Sequence, residues 1–130
     1  MTGHQVISME LAPDLEHVAT ARRFVRSHLI DVDDVVAADV QLITSELVTN
    51  AIEHGAGGPV TLALEADDEM VVVSVESGGP SPNVGPVDGW QVAAADEIDG
   101  RGLGIVRAIA SEVAVSRSAG RLTITAQIAR

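Results

Sequence analysis

The sequence predicts an α+β fold, a two-layer sandwich in which helices cover one face of a mostly antiparallel mixed sheet. Hydrophobic spacing gives the element order β-α-α-β-β-loop-α-β-β. Four of the five strands occur as two hairpins, whereas a parallel sheet needs a crossover between consecutive strands. The length of 130 residues suits one domain with one core. We therefore expect a single domain over residues 1–130.

The N-terminal part of the chain is predicted to form a strand and a helix. The segment VISMELA, residues 6–12, alternates loosely and ends before Pro13, which predicts a first strand. Asp14 is a candidate N-cap. Apolar residues then recur at the spacing of one helical face, which predicts a helix from Leu15 to about His28.

A second, strongly patterned helix follows. Asp33 and Asp34 are candidate caps at its start, and Gly55 is expected to end it. Its apolar side is formed by residues at helical spacing, namely Val36, Val40, Ile43, Leu47 and Ala51.

The remainder is predicted to hold two hairpins that flank a loop and a short helix. PVTLALEA (59–66) and MVVVSVES (70–77) form the first hairpin, with β-branched alternation on both arms. Residues 79–100 are rich in proline, glycine and acids, and so long a loop in a compact domain is usually functional or mobile. A helix from about Leu103 to Ser111 precedes two strands joined by a turn near Gly120.

The charge balance excludes several classes of function. The net charge is −11, which opposes non-specific nucleic-acid binding because that requires a basic surface. All eight cationic residues are arginine, so a P-loop and Schiff-base chemistry are excluded. The absence of cysteine removes disulfides, thiolate nucleophiles and cysteine metal sites. The first residues, MTGHQVISMEL, lack the pattern of a signal peptide, so we expect a cytoplasmic protein.

Polar residues form a stripe along the second predicted helix. Glu46, Asn50 and Glu53 fall within a narrow arc, and Asp39 lies on the same line two turns earlier. Such a stripe is commonly a solvated surface. It would equally suit Mg²⁺, which prefers hard oxygen ligands, with a carboxylate nearby to deprotonate a hydroxyl. His54 ends this helix, where a cap and a ligand contact are both open interpretations.

Two glycine-containing segments add further candidates. In VESGGP, residues 75–80, the strand ends in glycines; the segment is either a simple turn or a site where Glu76 points into a pocket while Gly78 lets a flat ligand approach. In GRGLGIV, residues 100–106, three glycines precede a predicted helix start, where free amides favour an anion. The letters do not fit the GxGxxG dinucleotide fingerprint.

The three segments ELVTNAIEHG, VESGGP and GRGLGIV, in this order, resemble the N, G1 and G2 boxes of the GHKL ATPase superfamily of gyrases, histidine kinases and related ATPases. Within it the chain is most similar to the bacterial anti-sigma factor serine/threonine kinases. The likeness covers roughly residues 33–110, and SELVTNAIEHG is its most specific element. It implies the Bergerat, histidine kinase-like fold, which agrees with the architecture predicted above.

The resemblance also implies roles at the catalytic end of a nucleotide. Asn50 would ligate an Mg²⁺ ion that bridges the phosphates of ATP, and Glu46, one turn earlier, would act as the catalytic base. His54 would lie near the nucleotide.

For the base and the phosphates, the resemblance implies a second set of contacts. Glu76 would stand where the family usually has an aspartate that receives the adenine amino group, and Gly78 would lie beside the base. Residues 79 to about 100 would form the ATP lid. The phosphates would meet the backbone of the G2 segment, that is Gly100, Arg101, Gly102, Leu103 and Gly104.

By resemblance, the expected function is an ATP- and Mg²⁺-dependent protein serine/threonine kinase that phosphorylates an antagonist protein and binds a sigma factor. A homodimer is compatible with it, and neither direct nucleic-acid binding nor a membrane is expected. The main alternative is a non-catalytic nucleotide-binding module that controls a protein partner. Two weaker alternatives are a histidine-kinase fragment, although no dimerisation helix pair is present, and a structural domain with fortuitous glycines.

Overall fold

A computed structural model of the chain describes residues 5–54, 58–78, 98–118 and 120–130. These residues form helices and strands in the predicted order. The elements are β1 (Gln5–Leu11), α1 (His17–Ser27), α2 (Asp34–His54), β2 (Val60–Ala66), β3 (Met70–Gly78), α3 (Ile98–Ile109), β4 (Glu112–Ser118) and β5 (Arg121–Ala129).

The five strands form one sheet in the order β1-β2-β3-β5-β4. The pairings are all antiparallel across the described residues. Two hairpins are joined side by side, because β3 pairs with β5 in the register Glu76 opposite Thr123 and Ser77 opposite Leu122. The turn between β4 and β5 includes Gly120, whose φ of 76° lies in the left-handed region that glycine tolerates best.

The helices cover one face of this sheet, so the predicted two-layer α+β sandwich is confirmed. Helix α2 lies at the centre of the helical layer, since it contacts β2, β3 and β5 as well as α1 and α3. Its predicted apolar side faces the core, where Val40, Ile43 and Leu47 are fully buried. Burial alternates along β3 and β5, so each strand presents one face to the helices and one to the outside.

The sheet face opposite the helices carries mostly small and polar side chains, with a few apolar ones such as Val72 among them. A hydroxyl ladder crosses it, with Ser74 Oγ and Thr125 Oγ1 3.1 Å apart. Arg121 and Glu76 form an ion pair on the same face, 3.1 Å between Nε and Oε1. Within the described residues, this face therefore has the composition of a solvated surface rather than of a second core.

The predicted N-cap of α2, Asp33, is confirmed, whereas the predicted N-cap of α1, Asp14, is wrong. The Asp33 carboxylate accepts a hydrogen bond of 2.8 Å from the amide of Val35, as an N-cap does. Helix α1 begins at His17, later than predicted, and its N-cap residue Glu16 makes no side-chain cap. The backbone carbonyl of Asp14, not its side chain, accepts a bond from His17.

By length and composition alone, α2 could also cross a membrane, with a mean hydropathy of 1.3 over its apolar window. Such a signal is weak, because the core helix of a globular domain gives it too. The contacts of α2 with three strands agree with a core helix of a globular domain.

Candidate functional site

The topology brings the three motif segments to one end of the sandwich. The register places Thr61, near the start of β2, opposite Glu76, near the end of β3. Helix α2 ends at His54, only six residues before β2 begins at Val60. The strand that follows α3 is β4, which begins at the end of the sheet opposite Glu76, where Glu112 pairs with Gln127. Helix α3 therefore begins at the end that holds Glu76 and finishes at the opposite one. The last turn of α2, the end of β3 and the first turn of α3 therefore share one end.

Asn50 is a buried polar residue at this end of the molecule. Only 8% of it is exposed, although it is an amide with two donors and an acceptor. Among the described residues, none forms a hydrogen bond with its side chain, whereas the other buried polar residue of α2, Thr44, donates to the carbonyl of Val40 at 2.7 Å. A buried amide without a partner is costly to the fold, so it is typical of a site completed by a ligand.

Glu46 lies one helical turn before Asn50 and is half-buried. Burial raises the pKa of its carboxyl above the usual value for glutamate, and the negative charge of Glu53 raises it further. No ion pair to Glu46 occurs within the part of the chain that the structure describes. A carboxylate with a raised pKa is a stronger base, which is the property needed to take a proton from a hydroxyl.

Replacing Glu53 with glutamine should lower the pKa of Glu46, because the neighbouring negative charge is removed and ionisation becomes easier. If Glu46 must be ionised to act as a base, activity rises with pH through its pKa. The acidic limb of the pH-rate profile should therefore move to lower pH in the Glu53→Gln protein, with the plateau rate retained. An acidic limb that stays in place would show that Glu53 does not tune this base.

A groove of about 500 Å³ between α1 and α2 leads to Glu46. Arg22 and Arg23 line its α1 side, and Gln41 and Ser45 line its α2 side beside Glu46. Within the described residues, neither arginine pairs with a carboxylate. The groove therefore gives a protein segment a route to Glu46, along which lie two arginines that no described carboxylate pairs.

The structure places Glu76 away from α2, contrary to the expectation that its carboxylate points into the pocket. Val75 and Ser77 face the helices and are buried, so Glu76 between them faces the opposite side of the sheet. There its carboxylate pairs with Arg121 and lies 3.5 Å from the donor hydroxyl of Thr123. These partners occupy both oxygens of Glu76 on the open face.

Ser77 occupies the inward position at the end of β3, and the sequence reasoning missed it. It is 4% exposed, on the α2 side of the sheet, and its hydroxyl makes no hydrogen bond with any of the described residues. The alternation Val71, Val73, Val75 already carries this signal, since counting by two puts residue 77 on the apolar face and residue 76 on the other.

The glycines of GRGLGIV lie inside α3, not before it. The helix begins at Ile98, five residues earlier than predicted. The amides left free at a helix start are those of the N-cap and the first three helical residues, so within α3 they include Gly100 but not Arg101, Gly102 or Gly104. In this structure, the free amides that could face an anion are therefore those of the first turn of α3, and not the amides of all three glycines.

Several predicted site features lie outside the described parts. The side chains of His54, Arg101 and Leu103 are outside them, as is the lid segment 79–97. Gly78 is described, and a Cβ there would meet Arg121 Nη1 at 3.4 Å, an ordinary contact on the open face. The described neighbours of Gly78 therefore do not require a glycine.

Comparison with known proteins gives the family. The family model for the histidine kinase-like ATPase domain matches residues 11–128. The chain therefore belongs to the histidine kinase-like ATPase domain family, as its sequence motifs predict. Such membership implies ATP binding at the level of the family. No curated protein matches the sequence significantly.

A solved structure shows the same fold. It contains the RsbU and RsbW domains of Rv1364c from Mycobacterium tuberculosis and superposes with a TM-score of 0.70 at 23% sequence identity. The match covers 97% of this chain but only 33% of that one, so the present chain spans about a third of the larger protein's length. The likeness extends across β1 to β5 and confirms the histidine kinase-like architecture.

Proposed function

We propose that this chain is an ATP-dependent protein serine/threonine kinase of the anti-sigma-factor type, located in the cytoplasm. Its substrate would be an antagonist protein with an acceptor hydroxyl, and its regulated partner a sigma factor. The observation that carries the proposal is the pairing on α2 of two side chains: the buried amide of Asn50, which has no partner among the described residues, and the carboxylate of Glu46, whose pKa is raised. The similarity to a chain with an RsbW domain supports the choice of partner class.

The donor set at this end fits a magnesium ion. Mg²⁺ prefers a few protein oxygens and completes its shell with water and substrate phosphates. Asn50 offers an amide oxygen that the described residues leave unpaired, so it would hold the ion. When bound, Mg²⁺ would neutralise part of the charge on the nucleotide phosphates.

The residues of the chain itself would perform the rest of the reaction. The Glu46 carboxylate would accept the proton of the incoming serine or threonine hydroxyl as its oxygen bonds to the γ-phosphorus of ATP, and the bond to the β-phosphate oxygen would break to release ADP. The free amides of the first turn of α3 would lie at the phosphates. The acceptor would approach through the groove between α1 and α2, where Arg22 and Arg23 suit an acidic segment.

Incubation with γ-labelled ATP, Mg²⁺ and candidate antagonist proteins tests this proposal. We expect label on a serine or threonine of one antagonist, located by mass spectrometry, at a rate that depends on both partners. A matched reaction with α-labelled ATP should give no labelled protein. Label on neither the antagonist nor the chain, in spite of ATP binding, would contradict the kinase proposal.

That contradicting outcome would favour the second candidate, a regulatory module that binds nucleotide without turnover. It would use the same binding residues, Asn50 and the first turn of α3. Its distinguishing property would be a partner affinity that changes with bound nucleotide while ATP remains intact.

A further inference from the structure

We propose that Ser77 contacts the edge of the nucleotide base and that its hydroxyl makes the site tolerant of guanine as well as adenine nucleotides. This inference rests on the proposed nucleotide site and adds its base selectivity. It starts from the buried polar residues of the described chain, which are Thr44, Asn50 and Ser77.

The side chains of two of these three residues have no partner in the described part of the chain, and both residues lie at the same end. Thr44 is satisfied by the carbonyl of Val40. The side chains of Asn50 and Ser77 make no hydrogen bond with the described residues, although each residue is more than nine-tenths buried. Asn50 is in the last turns of α2 and Ser77 is at the end of β3, the two segments that the β2–β3 register brings together. Two groups at one end that the described residues leave without a partner point to one ligand with two polar parts.

The surroundings of Ser77 suit a flat apolar ring. Its partner in the register is Leu122, and Val75 precedes it on the same face; both are buried. A base needs such an apolar surface together with a few placed polar groups that fix its orientation. Since Asn50 suits the phosphate end of a nucleotide, Ser77 is left for the base end.

The chemistry of a hydroxyl decides the selectivity. An ionised carboxylate only accepts hydrogen bonds, so it favours the 6-amino group of adenine and repels the 6-oxo group of guanine. A serine hydroxyl donates and accepts, so it can pair with either group. The carboxylate nearest in sequence, Glu76, cannot restore the preference, because it is paired with Arg121 on the open face.

The affinities of ATP, GTP and purine riboside triphosphate, each with Mg²⁺, test the inference by calorimetry on the whole chain. The third nucleotide carries no group at position 6. We expect ATP and GTP to bind within about tenfold of each other, and purine riboside triphosphate to bind about two- to tenfold more weakly than either, as loss of one hydrogen bond requires.

Two substitutions sharpen the test. In Ser77→Ala the three affinities should become equal. In Ser77→Asp, GTP should weaken by about tenfold or more relative to ATP, because two acceptors then face each other. Ser77→Ala adds no buried charge, so it keeps the test valid if the aspartate variant does not fold. The matched control is Ser74→Ala on the same strand, whose hydroxyl lies against Thr125 on the open face and should not affect the ratios.

The outcomes separate the two proposals. Strong preference for ATP, unchanged by Ser77→Ala, would overturn the base contact and leave the nucleotide site standing. Loss of ATP binding in Glu76→Gln, with no effect of Ser77→Ala, would also overturn the base contact of Ser77 and leave the nucleotide site standing. Failure of all three nucleotides to bind the unaltered chain would overturn the nucleotide site and the base contact together.

Discussion

Replacing Glu46 with glutamine should lower phosphoryl transfer by about 10²- to 10⁴-fold, the range typical for loss of a general base. Binding of Mg-ATP should be nearly unchanged, because the amide keeps the size of the side chain. Transfer of label from γ-labelled ATP gives the rate, and calorimetry gives the affinity. Unchanged transfer in Glu46→Gln would reject Glu46 as the base.

The same substitution should not destabilise the protein, which separates lost chemistry from lost folding. Burial and Glu53 raise the pKa of Glu46 in the folded state, so its ionised form disfavours folding at neutral pH. Glu46→Gln should therefore melt at a higher temperature than the unaltered chain at pH 7. This advantage should vanish as the pH falls below the unfolded glutamate pKa, where Glu46 is protonated in both states. Glu10→Gln, an exposed substitution on β1, is the control and should change neither property.

Replacing Asn50 with leucine should weaken binding of Mg-ATP and stabilise the free protein. Leucine keeps the branching of the asparagine side chain at Cγ and removes an amide that has no partner among the described residues, so the free energy of unfolding should rise by about 1–3 kcal/mol. The affinity for Mg-ATP should fall by at least about 10- to 100-fold, the loss found when a metal-site partner is removed. Thermal melting measures the first effect and calorimetry the second.

Thr44→Val is the matched control for Asn50→Leu, since both replace a buried polar residue of α2. The Thr44 hydroxyl is bonded to the carbonyl of Val40 at 2.7 Å, so its removal should lower stability by about 1 kcal/mol and leave nucleotide affinity intact. A loss of stability in Asn50→Leu similar to that in Thr44→Val would mean that Asn50 has a structural partner and no role in ligand binding.

Local patterns were sufficient to predict the element order. Strict alternation in residues 70–77 and helical spacing from Val36 to Ala51 each specify one kind of element, and the hairpin turns follow from the short breaks between strands. The pairing of β3 with β5 was not predicted, because strands distant in sequence pair through the packing of the sheet rather than through any local signal.

The site was predicted in part, and the reasons differ from residue to residue. The shared face of Glu46 and Asn50 was predicted because helical geometry converts spacing directly into position, and their roles toward a ligand stay predictions. Glu76 was given the inward position by its acidic character, although the period of a strand assigns that position to Ser77. The early start of α3 was missed because glycine was treated as a helix boundary, whereas helices tolerate it at a cost of about 1 kcal/mol.

The most direct test of the account is the titration of ATP into the chain with Mg²⁺ and again with the metal removed by a chelator, for the unaltered protein and for Asn50→Leu. Binding to the unaltered protein should be tight with Mg²⁺ and markedly weaker without it, while Asn50→Leu should show weak binding in both conditions. Equal binding by the two proteins, or no binding by either, would contradict an Mg-nucleotide site built on Asn50.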